Sequence, residues 1–257
     1  MNQARPVADV PAFDAIAPGD FVCIAHRGAA ALAPENTMAA YRAAYASGLR
    51  LLEQDVRLLA DGALAVMHDE TVERLTDGRG RVRDFDSAAY RALRFRTPRW
   101  PAYAGQEIAP ALFDDVLAEF RGRAAFIPEA KDAGSGAPLV AALQRAGIAR
   151  EHALVQSFIL PELAPAVAAG YPAIFLSRNA DDIAAAKAAG VAWAGIWKKA
   201  ADAVFRAWVD AGLRVIAYTV DDHEERDHLM GLGVQGVFSD NPLALMAGLP
   251  HGQRCVY

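Results

Sequence analysis

The stretch FVCIAHRG, residues 21–28, sets the pattern for the chain: five apolar residues are followed at once by a histidine and an arginine. Such a run predicts a strand that is buried on both faces, as strands of parallel sheets are. Two later stretches resemble it: EQD at 53–55 stands within the predicted strand Leu51–Val56, and HD at 68–69 follows the predicted strand Ala63–Met67. Titratable side chains at the ends of several strands are typical of the active site of an α/β barrel.

Strand-like and helix-like segments alternate through the rest of the chain. Further strands are predicted at 124–130, 153–158, 173–176, 191–197, 214–220 and 236–239. Helices are predicted at 36–47, 136–147, 161–169, 180–189, 200–211 and 222–231. Strands separated by helices indicate parallel strands joined by crossover helices. A single α/β barrel commonly has about 250 residues, so we expect one domain over 1–257.

These segments give one strand more than the eight of a closed barrel, and a hairpin accounts for the extra one. The link between the second and third strands is too short for a crossover helix, which needs about ten or more residues. It contains Asp61-Gly62, a strong hairpin signal. We expect a two-residue loop at these positions. That register pairs Asp55 directly with His68.

Residues 70 to about 110 depart from the alternation, since they carry no clean period and many charges, with several glycines and prolines. We expect a small inserted cap segment after the third strand. Two interpretations stay open: a segment that shapes or covers a substrate pocket, and a solvated excursion on the surface.

The composition argues against several classes of protein. A hydrophobic content of 54% with 22% charged residues fits a chain with a large buried core. The net charge of -5 argues against nucleic acid or an anionic membrane surface as the main partner. No apolar stretch reaches the ~18 residues of a membrane span, and residues 1–20 lack the features of a signal peptide. Cys23 and Cys255 are expected to be thiols, so we expect a cytoplasmic protein; no feature indicates its oligomeric state.

Carboxylates within the strands suit a divalent cation. Glu53 and Asp55 stand at i and i+2, so they share one strand face, and Mg²⁺ or Ca²⁺ takes such oxygen ligands. On a surface strand the pair would be solvated, but apolar residues surround it here. Glu129 adds a third carboxylate in an apolar strand, where an unpaired charge is costly. The alternative role for Glu129 is an ion pair with Lys131 or an arginine.

The histidines at the strand ends suit proton transfer. Histidine titrates near neutral pH, so His26 and His68 can divide the roles of general base and general acid. One histidine alone in such a place is more often structural, and two beside a carboxylate cluster favour catalysis. Arg27 offers forked donors that match the oxygens of a phosphodiester; its alternative is a salt bridge to Glu35 or Asp69.

Together these motifs resemble the signature of the glycerophosphodiester phosphodiesterase family. The matches follow the family's order and spacing: HRG at 26–28, APENT at 33–37, EQD at 53–55, DG at 61–62, HD at 68–69, TDGRG at 76–80, EAK at 129–131, YTVD at 218–221 and GVFSDNP at 236–242. The resemblance covers about residues 21 to 243, and its early motifs are highly specific in combination.

The resemblance implies a TIM (β/α)₈ barrel with the inserted cap, and one divalent cation, Mg²⁺ or Ca²⁺. It implies a metal site of Glu53, Asp55 and Glu129, a base and an acid in His26 and His68, and phosphate contacts from Arg27 and Lys131. Family members cleave glycerophosphodiesters, such as glycerophosphocholine, into glycerol 3-phosphate and an alcohol. Metal-dependent hydrolysis of such a small-molecule diester by two histidines is therefore the expected reaction.

Two departures from the family pattern bear on the site. Pro128 stands before Glu129, where the family usually has an aliphatic residue with a backbone donor, so a bulge in the strand is expected there. Tyr218 stands where the family often has tryptophan. Phe158 and Trp197 end later strands and are candidates to contact the substrate, with a place in the core as the alternative.

Three other functions stay open at this point. Cleavage of lysophospholipids, as by a lysophospholipase D, would need an apolar entrance, for which the insertion offers Tyr90, Leu93, Phe95, Trp100 and Tyr103. A barrel that binds a phosphodiester without cleaving it would not need both histidines. A lyase would differ from a hydrolase in its product, a cyclic phosphate. For the hydrolase, the attacking group is either water or the substrate's glycerol hydroxyl.

Overall fold

The structure of the chain is a computed structural model that describes residues 10–249 and 255–257. The strands are β1 Phe21–Ala25, β2 Leu51–Leu58, β3 Leu64–Val66, β4 Ala125–Ala130, β5 Val155–Ser157, β6 Ala173–Ser177, β7 Trp193–Trp197, β8 Arg214–Tyr218, β9 Gly236–Ser239 and β10 Cys255–Val256. The α-helices are α1 Met38–Ala46, α2 Ser87–Ala92, α3 Phe113–Phe120, α4 Gly136–Arg145, α5 Ala164–Ala169, α6 Ile183–Ala188, α7 Asp202–Asp210, α8 His223–Gly231 and α9 Pro242–Met246.

Eight parallel strands close into a barrel. Each of β1, β2 and β4 to β9 pairs with the next, and β9 pairs with β1 through Val22 opposite Gly236. β3 pairs antiparallel with β2, outside the ring, and β10 pairs with the start of β1. The predicted TIM barrel with an additional hairpin strand is therefore confirmed.

The interior of the barrel is apolar below the carboxyl ends of the strands. Ile24, Ile127, Ile174, Ile216 and Phe238 are buried together there. A second and larger apolar layer lies between the strands and the helices around them. Because an apolar floor offers no partner to a charged group, the carboxylates that β2 and β4 direct into the barrel lie toward the carboxyl ends.

The hairpin is present, but its predicted register is wrong by one residue. The N–H of Met67 donates to the carbonyl of Asp55 at 2.9 Å, so Asp55 lies opposite Met67 and not opposite His68. The loop has three residues instead of two, and the third, Gly62, adopts a left-handed φ of 81°. Glycine at that place is characteristic of three-residue hairpin loops. The sequence motif predicts both kinds of loop equally well.

The bulge expected at Pro128 is absent. β4 keeps one register along β2, with Gln54 opposite Pro128 and Asp55 opposite Glu129. Backbone donors alternate between the two neighbours of a parallel strand, and position 128 faces the three-residue strand β5, where Glu129 pairs with Gln156. The donor that proline lacks is therefore lost on the side with little pairing.

The insertion packs on the barrel as a cap. Val72, Tyr90, Phe95 and Trp100 are buried in a separate apolar cluster that also includes Ala65 of β3. The Trp100 indole donates to the carbonyl of Ala30, in the loop after β1, at 2.7 Å. The segment therefore packs on the barrel and is not the solvated excursion that the sequence left open. The role of shaping or covering a substrate pocket stays a prediction.

Two further findings concern membrane spans and the cysteines. No helix within the described ranges is long and apolar enough to cross a bilayer. Cys23 is fully buried in β1, whereas the side chain of Cys255 lies outside the described part of the chain.

Candidate active site

The candidate side chains meet in one cavity at the carboxyl ends of the strands. The cavity has a volume of about 230 Å³. Of the nine candidates from the sequence, eight line it: His26, Arg27, Glu53, Asp55, His68, Glu129, Lys131 and Phe158. The ninth, Trp197, lies outside this lining.

Three carboxylates form a compact buried cluster on adjacent strands. Glu53 and Asp55 share a face of β2, and Glu129 of β4 lies opposite Asp55 in the parallel register. One oxygen of each lies within 4.8 Å of the others, and all three residues are buried. Hard oxygen donors at this spacing are the ligand set that Mg²⁺ or Ca²⁺ prefers. This cluster can therefore hold a divalent cation.

Glu53 is oriented by two donors. The backbone N–H of Arg27 donates to Glu53 Oε2 at 2.7 Å, and Gln156 Nε2 donates to Oε1 at 3.1 Å. Arg27 reaches this position through a left-handed φ of 54°, which is uncommon for a residue other than glycine. Strain of this kind persists where surrounding contacts over-determine it, often in active sites. The loop after β1 therefore aims a backbone donor at the cluster.

Asp55 and Glu129 both pair with the ammonium group of Lys131. Lys131 Nζ lies 3.0 Å from Asp55 Oδ1 and 3.1 Å from Glu129 Oε1. Asn36 Nδ2 donates to Asp55 Oδ2 at 2.7 Å, and the Tyr41 hydroxyl donates to Asn36 Oδ1 at 3.0 Å. The ion pair with Lys131 that the sequence offered as an alternative role for Glu129 is thus present together with the cluster. Outer partners of this kind orient carboxylates for metal binding.

The charges of the cluster are not balanced by protein groups alone. Burial raises the pKa of Glu53 well above its ordinary value, and the nearby Asp55 and Glu129 raise it further. Burial also raises the pKa of Glu129 to about 7, against the opposing effect of Lys131. Burial acts on Asp55 in the same direction, but Lys131 and Arg27 hold its pKa well below the ordinary value. A divalent cation would offset the excess negative charge, so the residues fit such a group.

Metal affinity is expected to rise with pH up to neutrality. A cation competes with the proton on Glu129, whose pKa is about 7 instead of the ordinary 4.5, and with that on Glu53. Below pH 7 the apparent affinity for Mg²⁺ should fall about tenfold or more per pH unit, and above about pH 8 the dependence on Glu129 should vanish. Isothermal titration with Mg²⁺ from pH 5.5 to 8.5 measures this; an affinity that is flat over this range would contradict the assignment.

Each cavity histidine is held by its own carboxylate. Nδ1 of His26 lies 2.7 Å from Asp240 Oδ1, and Nδ1 of His68 lies 2.8 Å from Asp69 Oδ1. Burial lowers the pKa of His68, although the charge of Asp55 opposes this effect. With Nδ1 engaged, Nε2 of each ring is the nitrogen left to exchange a proton with a substrate. Each ring is therefore fixed through Nδ1 by an aspartate.

An arginine of the cap joins two parts of the site. Arg74 Nη2 donates to Glu35 Oε1 at 2.7 Å, and Arg74 also pairs with Asp69, the partner of His68. Glu35 Oε1 accepts from Arg27 Nη1 at 2.8 Å as well. The salt bridge to Glu35 that the sequence offered for Arg27 is thus present. The cap therefore contacts the partners of both a histidine and the arginine of the cavity.

Several residues of the site were not predicted from the sequence. Asn36 and Asp240 stand in motifs that match the family, and that match was the available signal. Gln156, Arg74 and Arg178, which lines the cavity, carry no signal of periodicity or spacing. Each acts through contacts between segments that are distant in the chain.

The two aromatic candidates lie at the rim. The Phe158 side chain lines the cavity and meets the Tyr218 ring edge to face, with 5.7 Å between the ring centroids. The guanidinium of Arg178 lies over the Trp197 ring, 5.2 Å from its centroid. Both candidates are partly exposed, at 44% and 38% respectively, so neither is a core residue.

Comparison with known proteins gives concordant matches. The model of the glycerophosphoryl diester phosphodiesterase family matches residues 26–134 and 157–244. A glycerophosphodiester phosphodiesterase of Bacillus subtilis is 27% identical over 92% of this chain and 89% of its own length. A probable glycerophosphodiester phosphodiesterase 1 of Mycobacterium tuberculosis is 29% identical over 93% of this chain and 96% of its own. An Oleispira antarctica phosphodiesterase, solved in complex with the product sn-glycerol-3-phosphate, has a TM-score of 0.78 at 23% identity and covers 88% of this chain and 95% of its own.

Proposed function

Because this chain belongs to the glycerophosphoryl diester phosphodiesterase family, we propose that it hydrolyses glycerophosphodiesters to glycerol 3-phosphate and an alcohol, with a divalent cation. One observation carries the proposal. A single cavity holds three buried carboxylates and two histidines, each paired with a further carboxylate.

The carboxylate cluster would hold the cation. When bound, the cation offsets charge on a phosphate oxygen and polarises the P–O bond. The donors from Arg27 and Gln156 fix the Glu53 carboxylate, and Lys131 fixes the other two carboxylates. Arg27 and Lys131 also line the cavity, so we assign them contacts with the remaining phosphate oxygens. Preorganised donors of this kind favour charge that develops in the transition state.

The histidines would move the protons. One takes a proton at Nε2 from the attacking group, and the other gives a proton from Nε2 to the departing alkoxide. Asp240 and Asp69 keep each ring oriented. The attacking group is water or the glycerol hydroxyl of the substrate; the second route passes through a cyclic phosphate.

The cap bears on the choice between a small diester and a lysophospholipid. Of the five residues that the sequence offered for an apolar entrance, Tyr90, Phe95 and Trp100 are buried within the cap. They therefore give no open apolar surface for an acyl chain. This observation favours a diester of small polar alcohols. The predicted cytoplasmic location and the choice between Mg²⁺ and Ca²⁺ stay predictions.

The test is a comparison of alcohol release from two substrates. Free ethanolamine is measured from glycerophosphoethanolamine and from lysophosphatidylethanolamine, each with Mg²⁺, with Ca²⁺ and with a chelator. We expect metal-dependent release from the first substrate and much less from the second. Faster release from the lysophospholipid would favour a lysophospholipase D. Binding of the diester without release, with either cation, would favour a barrel that only binds.

A further inference from the structure

Arg178 faces the cavity from the side opposite the first histidine. It is the residue that follows β6, and its side chain lines the cavity. Round the barrel, β6 is reached from β1 through β2, β4 and β5 in one direction, and through β9, β8 and β7 in the other. The two strands are therefore diametrically placed. An ester arm that extended toward this side from a phosphate at the carboxylate cluster would approach Arg178.

Arg178 differs from the other cationic side chains of the cavity in its partners. Arg27 pairs with Glu35, and Lys131 lies between Asp55 and a second carboxylate. Within the described residues, no carboxylate forms an ion pair with Arg178. Its exposed side chain donates to the Tyr218 hydroxyl and lies over the Trp197 ring, so its positive charge is not neutralised by a carboxylate.

The segment that carries Arg178 is held in place. Ser177 Oγ donates to Asp182 Oδ2 at 2.5 Å and accepts from the N–H of Asn179 at 3.1 Å. The Trp208 indole donates to the carbonyl of Asn179 at 3.0 Å. These bonds fix the backbone on both sides of Arg178, and its contacts with Tyr218 and Trp197 restrict the side chain. A restricted side chain loses less freedom when it binds a ligand, which favours affinity.

The aromatic side chains near Arg178 are Trp197, Phe158 and Tyr218. They do not form a cage of ring faces that could bind a cationic ligand. The guanidinium covers a face of the Trp197 ring at 5.2 Å, a distance at which a cation and a ring attract each other. The next ring pair, Phe158 and Tyr218, meets edge to face. A cationic alcohol that approached these side chains would meet the positive charge of Arg178 first. An anionic group would meet a fixed donor of matching geometry.

We propose that Arg178 is a specificity-determining residue that favours diesters whose alcohol carries an anionic group, such as the carboxylate of serine. The inference rests on the proposed function, since it names the class of alcohol that the same cavity takes. Glycerophosphoserine and glycerophosphoethanolamine provide a matched pair of probes, because they differ by one carboxylate.

The test is the ratio of kcat/KM for the serine diester to that for the ethanolamine diester. We expect the ratio to exceed one in the natural protein and to fall about two- to fivefold in Arg178→Gln, the size of one partly exposed ion pair. Arg178→Lys, which keeps the charge, should retain most of the ratio. Arg206→Gln removes an exposed arginine of α7 outside the cavity lining and should leave both rates unchanged.

Two results would overturn the proposal. A ratio that is the same in Arg178→Gln and in the natural protein would show that the alcohol does not meet this residue. An equal loss for both substrates would place Arg178 at the phosphate. If the natural protein cleaves neither substrate, the proposed function is wrong, and the inference about Arg178 is decided separately. Dissociation constants of the two diesters, from isothermal titration of the same variants, then decide the inference about Arg178 by the same ratio.

Discussion

Replacing His26 or His68 with alanine should lower kcat for glycerophosphoethanolamine by about 10²–10⁴-fold. Each variant removes one of the two groups that transfer protons, and no other histidine lines the cavity among the described residues. The loss should fall on kcat more than on KM, because proton transfer contributes in the transition state and not to binding of the diester.

A surface pair provides the matched control for these variants. His228 lies 3.0 Å from Asp202, so it is also a histidine bound to an aspartate, but both residues are exposed and outside the cavity. His228→Ala should keep the full rate. An unchanged rate in both cavity variants, with circular dichroism that shows the native fold, would exclude the assigned roles.

Replacing Glu53 with glutamine should weaken metal binding and raise the cation concentration needed for activity. The loss should exceed the ~10–100-fold that removal of an outer partner of a metal site typically costs, because a ligand itself is lost. The variant keeps the size of the side chain and removes one of three neighbouring negative charges, and circular dichroism checks that it keeps the native fold. Isothermal titration with Mg²⁺ and with Ca²⁺ measures the change.

Glu224 supplies the control for the metal experiment. It is an exposed residue in the first turn of α8, and Glu224→Gln removes the same charge from the protein without touching the cavity. The control should bind the cation as the natural protein does. If Glu53→Gln also binds it with unchanged affinity, the carboxylate cluster is not the metal site.

The strand pattern made much of this site predictable. Glu53 and Asp55 share a face because side chains alternate along a strand, and that rule needs no tertiary information. Glu129 could be placed near them because strands of a parallel barrel end at one rim. The histidine and the arginine that follow β1 belong to the same rim for the same reason.

The features that the sequence predicted wrongly or missed depend on loop length and on contacts between distant segments. Two-residue and three-residue hairpin loops both favour glycine after Asp61. The motif therefore does not fix the length of the loop, and one residue more in the loop shifts the register of β3 by one. The consequence of Pro128 depended on which neighbour its missing donor faces. Asp240 approaches His26 across 214 positions of the chain, and Arg74 reaches the site through a cap without periodicity. Such contacts follow from the closed fold and not from local sequence.

The most direct test of the account is ³¹P NMR of glycerophosphoethanolamine incubated with the protein and Mg²⁺. We expect the diester resonance to be replaced by that of glycerol 3-phosphate. A chelator or the His26→Ala substitution should stop the conversion. A transient cyclic phosphate signal would identify the glycerol hydroxyl as the attacking group. A diester resonance that persists, with folded protein shown to bind the cation, would contradict the account.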